Sequence, residues 1–143
     1  MPVDFIWDDG KPLREAIPAN LVFDYVIASH VIEHAPDMIG WLRQVAGVLR
    51  TGGILSLAVP DKRFTFDEGR ELTTLDQLLT ANAGSVSSDR TGISWGHNQV
   101  FTFETFSKIA ETLCSDGVIP FHIAFLFQRA ESPFEFIVVL KRT

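Results

Sequence analysis

The chain has 143 residues, 46% of them hydrophobic, and a formal net charge of −6. That is enough apolar mass for one core and a single domain over 1–143, and the acidic balance excludes a nucleic-acid partner, whose phosphates are neutralised by Lys and Arg. The sequence has no run of about 18 apolar residues for a membrane span, no basic-then-apolar start of a secretory signal, and one cysteine, Cys114. A cytoplasmic protein with a buried, unreactive thiol is therefore expected.

VDFIW (3–7) is short, apolar and rich in β-formers, and it predicts a strand closed by DDGKP. PLREAIPANL has room only for a short helix, broken at Pro18. FDYVIASHV (23–31) is apolar almost throughout, as in a strand covered on both faces. At Asp37 the period changes. Met38, Leu42, Val45 and Leu49 recur at helical spacing, Asp37 is placed to cap the helix, and Gly52 or Gly53 to end it in a left-handed turn.

GILSLAVP (53–60) predicts a second buried strand, stopped by Pro60. TTLDQLLTANAG (73–84) predicts a shorter helix capped by Thr73 or Thr74. Residues 84–98, small and polar without a period, predict a long mobile loop. TFETFSKIAETLCSDG (102–117) predicts another helix, with Phe106, Ile109, Ala110 and Leu113 on one face and Gly117 at its end. VIPFHIAFLFQR and FEFIVVLKRT flank the turn AESP as an antiparallel pair. This order is an α/β pattern whose first strands run parallel through right-handed crossovers. In such sheets ligands sit beyond the carboxyl ends of the strands, which sets SHVIEH and VPDKRFTFD side by side at one rim.

The run FDYVIASHVIEHAPDMIGWLRQVAGVLRTGGILSLAVPD closely resembles the fourth strand, following helix and fifth strand of class I S-adenosylmethionine-dependent methyltransferases. An FDxV strand leads into a histidine-bearing loop. A helix then reaches the turn Leu49-Arg50-Thr51-Gly52-Gly53, and an apolar strand runs to Pro60. GHNQVFTFETF is similar to the segment before the sixth strand in methyltransferase-like bacterial proteins. The resemblance covers roughly residues 3–143. It implies a truncated Rossmann-like methyltransferase sheet, with parallel strands, helices on both faces and a C-terminal antiparallel hairpin. It also implies S-adenosylmethionine as cofactor, with Asp8 and Asp9 at the adenine edge and Ser29 and His30 at the rim.

The resemblance begins at the family's third strand, so the chain is expected to be a partial methyltransferase-like domain. The glycine-rich turn and the ribose-holding acid of the family's first two strands have no counterpart here. A methyltransferase for a small molecule or sugar precursor is expected, inactive as the isolated chain. The alternatives are a non-catalytic interaction module derived from the fold, or a fragment of an ordinary enzyme. Without the first two strands, FDYVIASHV would stand at an open edge, inviting VDFIW or a second copy, and a homodimer is expected.

Within that frame the catalytic candidates are His30, Asp61 and Arg63. His30 would orient the methyl acceptor or take its proton, while His34 closes the strand. Arg63 would clamp a carboxylate or phosphate, or else pair with Asp67 in an ordinary loop. Phe64 and Phe66 would wall the pocket, and Trp95 and His97 would form a lid. His30, His34, Asp61 and His97 are also a potential ligand set. Because H-x-x-x-H aligns both histidines only on a helix, and this stretch starts on a strand, no metal centre is expected.

Overall fold

In the computed structural model, which describes residues 2–7, 11–85 and 96–143, the apolar segments form one four-stranded sheet ordered β1-β2-β4-β3. The strands are β1 (Phe23–Ser29), β2 (Leu49–Pro60), β3 (Phe121–Arg129) and β4 (Ser132–Arg142). The helices are α1 (Met38–Val48), α2 (Leu75–Ser85) and α3 (Phe103–Ser115), with short 3-10 turns at Leu13–Ala16, Ile32–His34 and Lys62–Phe64. Helix α1 carries the chain from β1 to the parallel β2. The terminal hairpin turns at Ala130-Glu131, so β4 runs antiparallel to both β2 and β3. The α/β class, the parallel first pair and the antiparallel hairpin are as the sequence implied.

Capping residues decide where the helices begin and end. The Asp37 carboxylate accepts from Gly40 N at 2.9 Å at the start of α1. Thr74 and Gln77 exchange reciprocal bonds of 3.2 and 2.9 Å at the start of α2. Thr102 and Thr105 do the same for α3. Helix α3 closes on Gly117 at φ 67°, with Val118 N donating to Leu113 O and Gly117 N to Cys114 O, the paired bonds of a glycine-ended helix. Half-buried Cys114 lies on this helix, and burial pushes its thiol up, in keeping with a packing role.

Helices and sheet share one core. Leu42, Val45, Leu78, Phe106, Ile109 and Leu113 pack with Ala28, Leu55, Leu57, Val59, Phe121, Phe136, Val138 and Leu140. These strand residues alternate with a second set that points the other way. Tyr25 and Ile27 of β1 are 66% and 71% exposed, and Phe125 and Phe127 of β3 are 67% and 47% exposed. The helices therefore cover one face of the described sheet, not both. FDYVIASHV is correspondingly half-exposed rather than covered on two sides, and it is an edge strand.

Two further local expectations change. The described residues of VDFIW form no strand, and Val3 and Ile6 are exposed while Trp7 donates to Lys11 O at 2.7 Å and packs on the core. Helix α1 stops at Val48, because Leu49 is already extended, fully buried and paired with Phe23. Gly52 does adopt φ 76°. It serves a register shift inside the parallel pair, where Phe23 faces Leu49 but Tyr25 faces Ile54. Among the described residues no helix is long and apolar enough to cross a membrane.

Candidate active site at the carboxyl end of β1

Beyond Ser29 the backbone turns sharply. His30 N still donates to Ala58 O at 3.0 Å, continuing the ladder, but His30 itself lies at φ 52° in the left-handed region. This is costly for a residue with a Cβ. The turn aims the imidazole across β2, where Nε2 meets Glu135 Oε2 of β4 at 2.8 Å. Exposed Ser29 is aligned with Ala58 on the uncovered face. The chain then tightens into the Ile32–His34 turn and reaches the Asp37 cap of α1.

That turn buries Glu33 completely. Its carbonyl accepts from Asn98 N at 2.7 Å and Gln99 N at 2.9 Å, which draws segment 96–99 over it. Neither carboxylate oxygen has a hydrogen-bond partner among the described residues. Three imidazoles surround it, with His30 Nδ1 at 3.8 Å, His34 Nε2 at 3.8 Å and His97 Nε2 at 4.0 Å. Burial raises the Glu33 pKa, outweighing the pull of its own backbone amide, which lies outside hydrogen-bond geometry, and the attraction of the three histidines. His97 is held from behind by Asp67 at 2.5 Å. Asp67 is held in turn by Arg70 at 2.7 Å. Burial would raise the Asp67 pKa, but the bonds from Arg70 and His97 hold it below the usual range.

The second rim segment behaves differently. The fully buried Asp61 carboxylate accepts from Arg63 N, Nε and Nη2 at 3.1, 2.9 and 2.7 Å. It also accepts from Phe103 N at 3.0 Å and Gln128 Nε2 at 3.2 Å. Burial pushes its pKa up, yet these donors more than offset that and leave it lowered. Arg63 completes the cluster with Glu104 at 3.1 Å, and the bond to Asp61 raises the guanidinium pKa further. Asp61 is thus a hub joining the end of β2, the start of α3 and β3.

The structure does not bring His30 and Asp61 together. His30 reaches Glu135, which shares the uncovered face with Ser29 and Ala58, because Pro60 and Glu135 are cross-strand partners. Asp61 is engaged by Phe103 and by Gln128, whose partner Phe136 belongs to the core. Nor does Arg63 pair with Asp67; it pairs with Asp61, two residues away. His97 does arrive at the rim, and its ring lies 4.8 Å from that of exposed Phe66. Asp8, Asp9 and Trp95 lie outside the described residues, as does most of the expected 84–98 loop. Nothing in the sequence marks Glu33 as buried except the tight H-x-x-E-H run beside an otherwise apolar turn.

S-adenosylmethionine needs acceptors for its ribose and donors for its methionine end. Three carboxylates at the rim are committed, Glu135 to His30, Asp61 to Arg63 and Asp67 to Arg70 and His97, and a fourth, Glu33, is fully buried. Ser29 and His30 are exposed at this corner, and the described residues do not supply the full set of partners the cofactor needs. No curated protein matches the sequence. Among solved structures, an O-methyltransferase family protein from Burkholderia thailandensis is similar at 16% identity and a TM-score of 0.42, over 87% of this chain and 31% of that one. The chain thus spans about a third of that protein's length. A family model described as a methyltransferase domain matches residues 4–113, from the N-terminal segment to the end of α3's buried face, and the chain belongs to that family.

Proposed function

We propose that the chain is the acceptor-side part of a cytoplasmic S-adenosylmethionine-dependent methyltransferase whose acceptor is a small molecule or a sugar precursor. The family match over residues 4–113 carries this reading. The exposed Ser29–His30 corner supports it, since open α/β sheets take ligands beyond the carboxyl ends of their strands. The cofactor would supply the electrophilic methyl group. Methyl transfer is an in-line displacement, so the protein's main task is positioning. His30, steadied by Glu135, is the group proposed to orient the acceptor or take its proton. Asp61 and Arg63 are proposed as positioning residues, because their polar atoms are spent on each other and on Glu104.

In this reading the isolated chain binds the cofactor weakly. Each missing hydrogen bond to a charged or polar ligand costs about 1.5–3 kcal/mol. Three or four such losses move a micromolar site to millimolar or beyond, at about 1.4 kcal/mol per tenfold. A homodimer across the outer edge of β1 belongs to the same proposal, as that edge pairs with no other described strand. Calorimetric titration of purified monomer with S-adenosylmethionine should give no saturation in the micromolar range, and a low-micromolar dissociation constant would refute the weak-binding claim. In a cofactor-competent longer or dimeric form, transfer of labelled methyl groups should fall at least tenfold in His30→Ala. An unchanged rate would remove His30 from the reaction.

A further inference from the structure

We propose that Glu33, His34 and His97 form a binding site for one divalent transition-metal ion of the zinc class, with His30 flanking its solvent-facing side. The three candidate ligand atoms lie within 4.8 Å of one another. A tetrahedral ion with bonds of about 2.0–2.2 Å sets its ligands roughly 3.3–3.5 Å apart. The 3.8 and 4.0 Å separations of Glu33 Oε1 from the His34 and His97 nitrogens need only a modest contraction. They are also too long for hydrogen bonds, so the imidazoles do not satisfy the carboxylate directly. A fully buried carboxylate with both oxygens unpartnered among the described residues is otherwise an unexplained cost in this core.

The outer nitrogens of the histidines make the case specific. His34 Nδ1 lies 3.1 Å from Gly96 O. A carbonyl only accepts, so Nδ1 carries the proton and the Nε2 lone pair is turned toward Glu33. His97 Nδ1 is held the same way by Asp67, itself anchored by Arg70. His30 repeats the pattern with its other nitrogen, Nε2 on Glu135 and Nδ1 toward Glu33. Metal-binding histidines are oriented in this manner, with the far N–H donated to a carboxylate or backbone carbonyl. Two imidazoles and a carboxylate suit zinc, cobalt or iron over magnesium or calcium, which favour all-oxygen sites. His30 has a 41% exposed side chain, which marks the side from which a fourth ligand, protein or solvent, would reach the ion.

The test uses the full chain after chelator treatment, titrated with Zn²⁺ by calorimetry and with Co²⁺ by visible absorption. One ion per chain is expected, with Co²⁺ bands displaced by Zn²⁺ and untouched by equimolar Mg²⁺. Glu33→Gln and His97→Ala should weaken Zn²⁺ binding at least 100-fold. Asp67→Asn, which leaves every ligand in place, should weaken it about 10–100-fold at unchanged stoichiometry. His122→Ala, remote on β3, should bind as the unaltered chain does. The proposal is overturned if the folded chain binds less than one equivalent, or if Mg²⁺ competes as well as Zn²⁺. Equally, it fails if ion binding survives Asp67→Asn and His97→Ala unchanged but disappears in His122→Ala, which would mark an adventitious ion. The Asp67 variant decides the matter should Glu33→Gln fail to fold.

Discussion

Asp61 shows how far a residue's type is from its job. A carboxylate after a strand at the rim reads as an acid–base candidate, yet five donor contacts from Arg63, Phe103 and Gln128 leave it no spare acceptor direction. Asp61→Asn should destabilise the chain by about 1.5–3 kcal/mol at pH 7 by weakening charge-assisted bonds. The low end is expected, because Arg63 is 41% exposed and solvent screens that contact. The folded pKa is lowered, so this contribution is complete above the unfolded value of about 3.9 and drains away as pH falls through the folded one. Urea melts at several pH values should show the gap between the two chains closing in the acid range; a gap constant down to pH 2 would contradict the assignment. Glu33 is the opposite case. Its burial depends on Asn98 and Gln99 clasping its carbonyl from a segment more than sixty residues away, and no local pattern announces a contact of that span.

Local chemistry announced the helices well. Asp37, Thr74 and Thr102 cap them where their short oxygens allow, and the apolar stripes of α1 and α3 were visible in their spacing. Thr102→Ala removes the side-chain half of a reciprocal cap, leaving Thr102 N on Thr105 Oγ1, and should cost about 1 kcal/mol, read as a lower urea midpoint. A Thr102→Ser chain should recover most of it. The miss at Val48 is equally physical. Leu49 continues the helical period, and only its pairing with Phe23 across the sheet pulls it out of the helix. The apparent double-sided burial of β1 fails for a related reason. A run of apolar residues states hydrophobicity, but which faces are covered depends on elements elsewhere in the chain.

For the molecule as a whole, the lopsided sheet is the main departure from expectation. Rows such as Ile27, Ser56, Val139 and Phe125 cross the uncovered face in register, carrying exposed apolar side chains at both ends. Exposed apolar side chains such as Tyr25 and Ile27, beside an edge unpaired among the described strands, favour self-association. Ile27→Lys should shift the chain toward monomer in light scattering at concentrations where the unaltered chain associates. Equal masses for both would argue against an interface through β1. The family-level fold was visible in the ordered run from Phe23 to Asp61. The bare face was not, since it belongs to the arrangement and not to any one segment.

The strand order has a consequence for how the protein comes into being. Of the described strands β4 is made after the other three, yet it lies between β2 and β3, pairing Ile54 with Lys141 and Phe121 with Arg142. Until it emerges during synthesis, β2 has only β1 beside it and β3 has no strand at all, so much of the core stays unformed. These long-range pairings are costly to close and slow to nucleate. A chain ending at Glu131 should therefore remain largely unfolded and bound by chaperones, although α1, α2 and α3 are all present. A cooperative thermal transition in that shortened chain would show that α1, α2 and α3 can organise the remaining strands without the one that joins them.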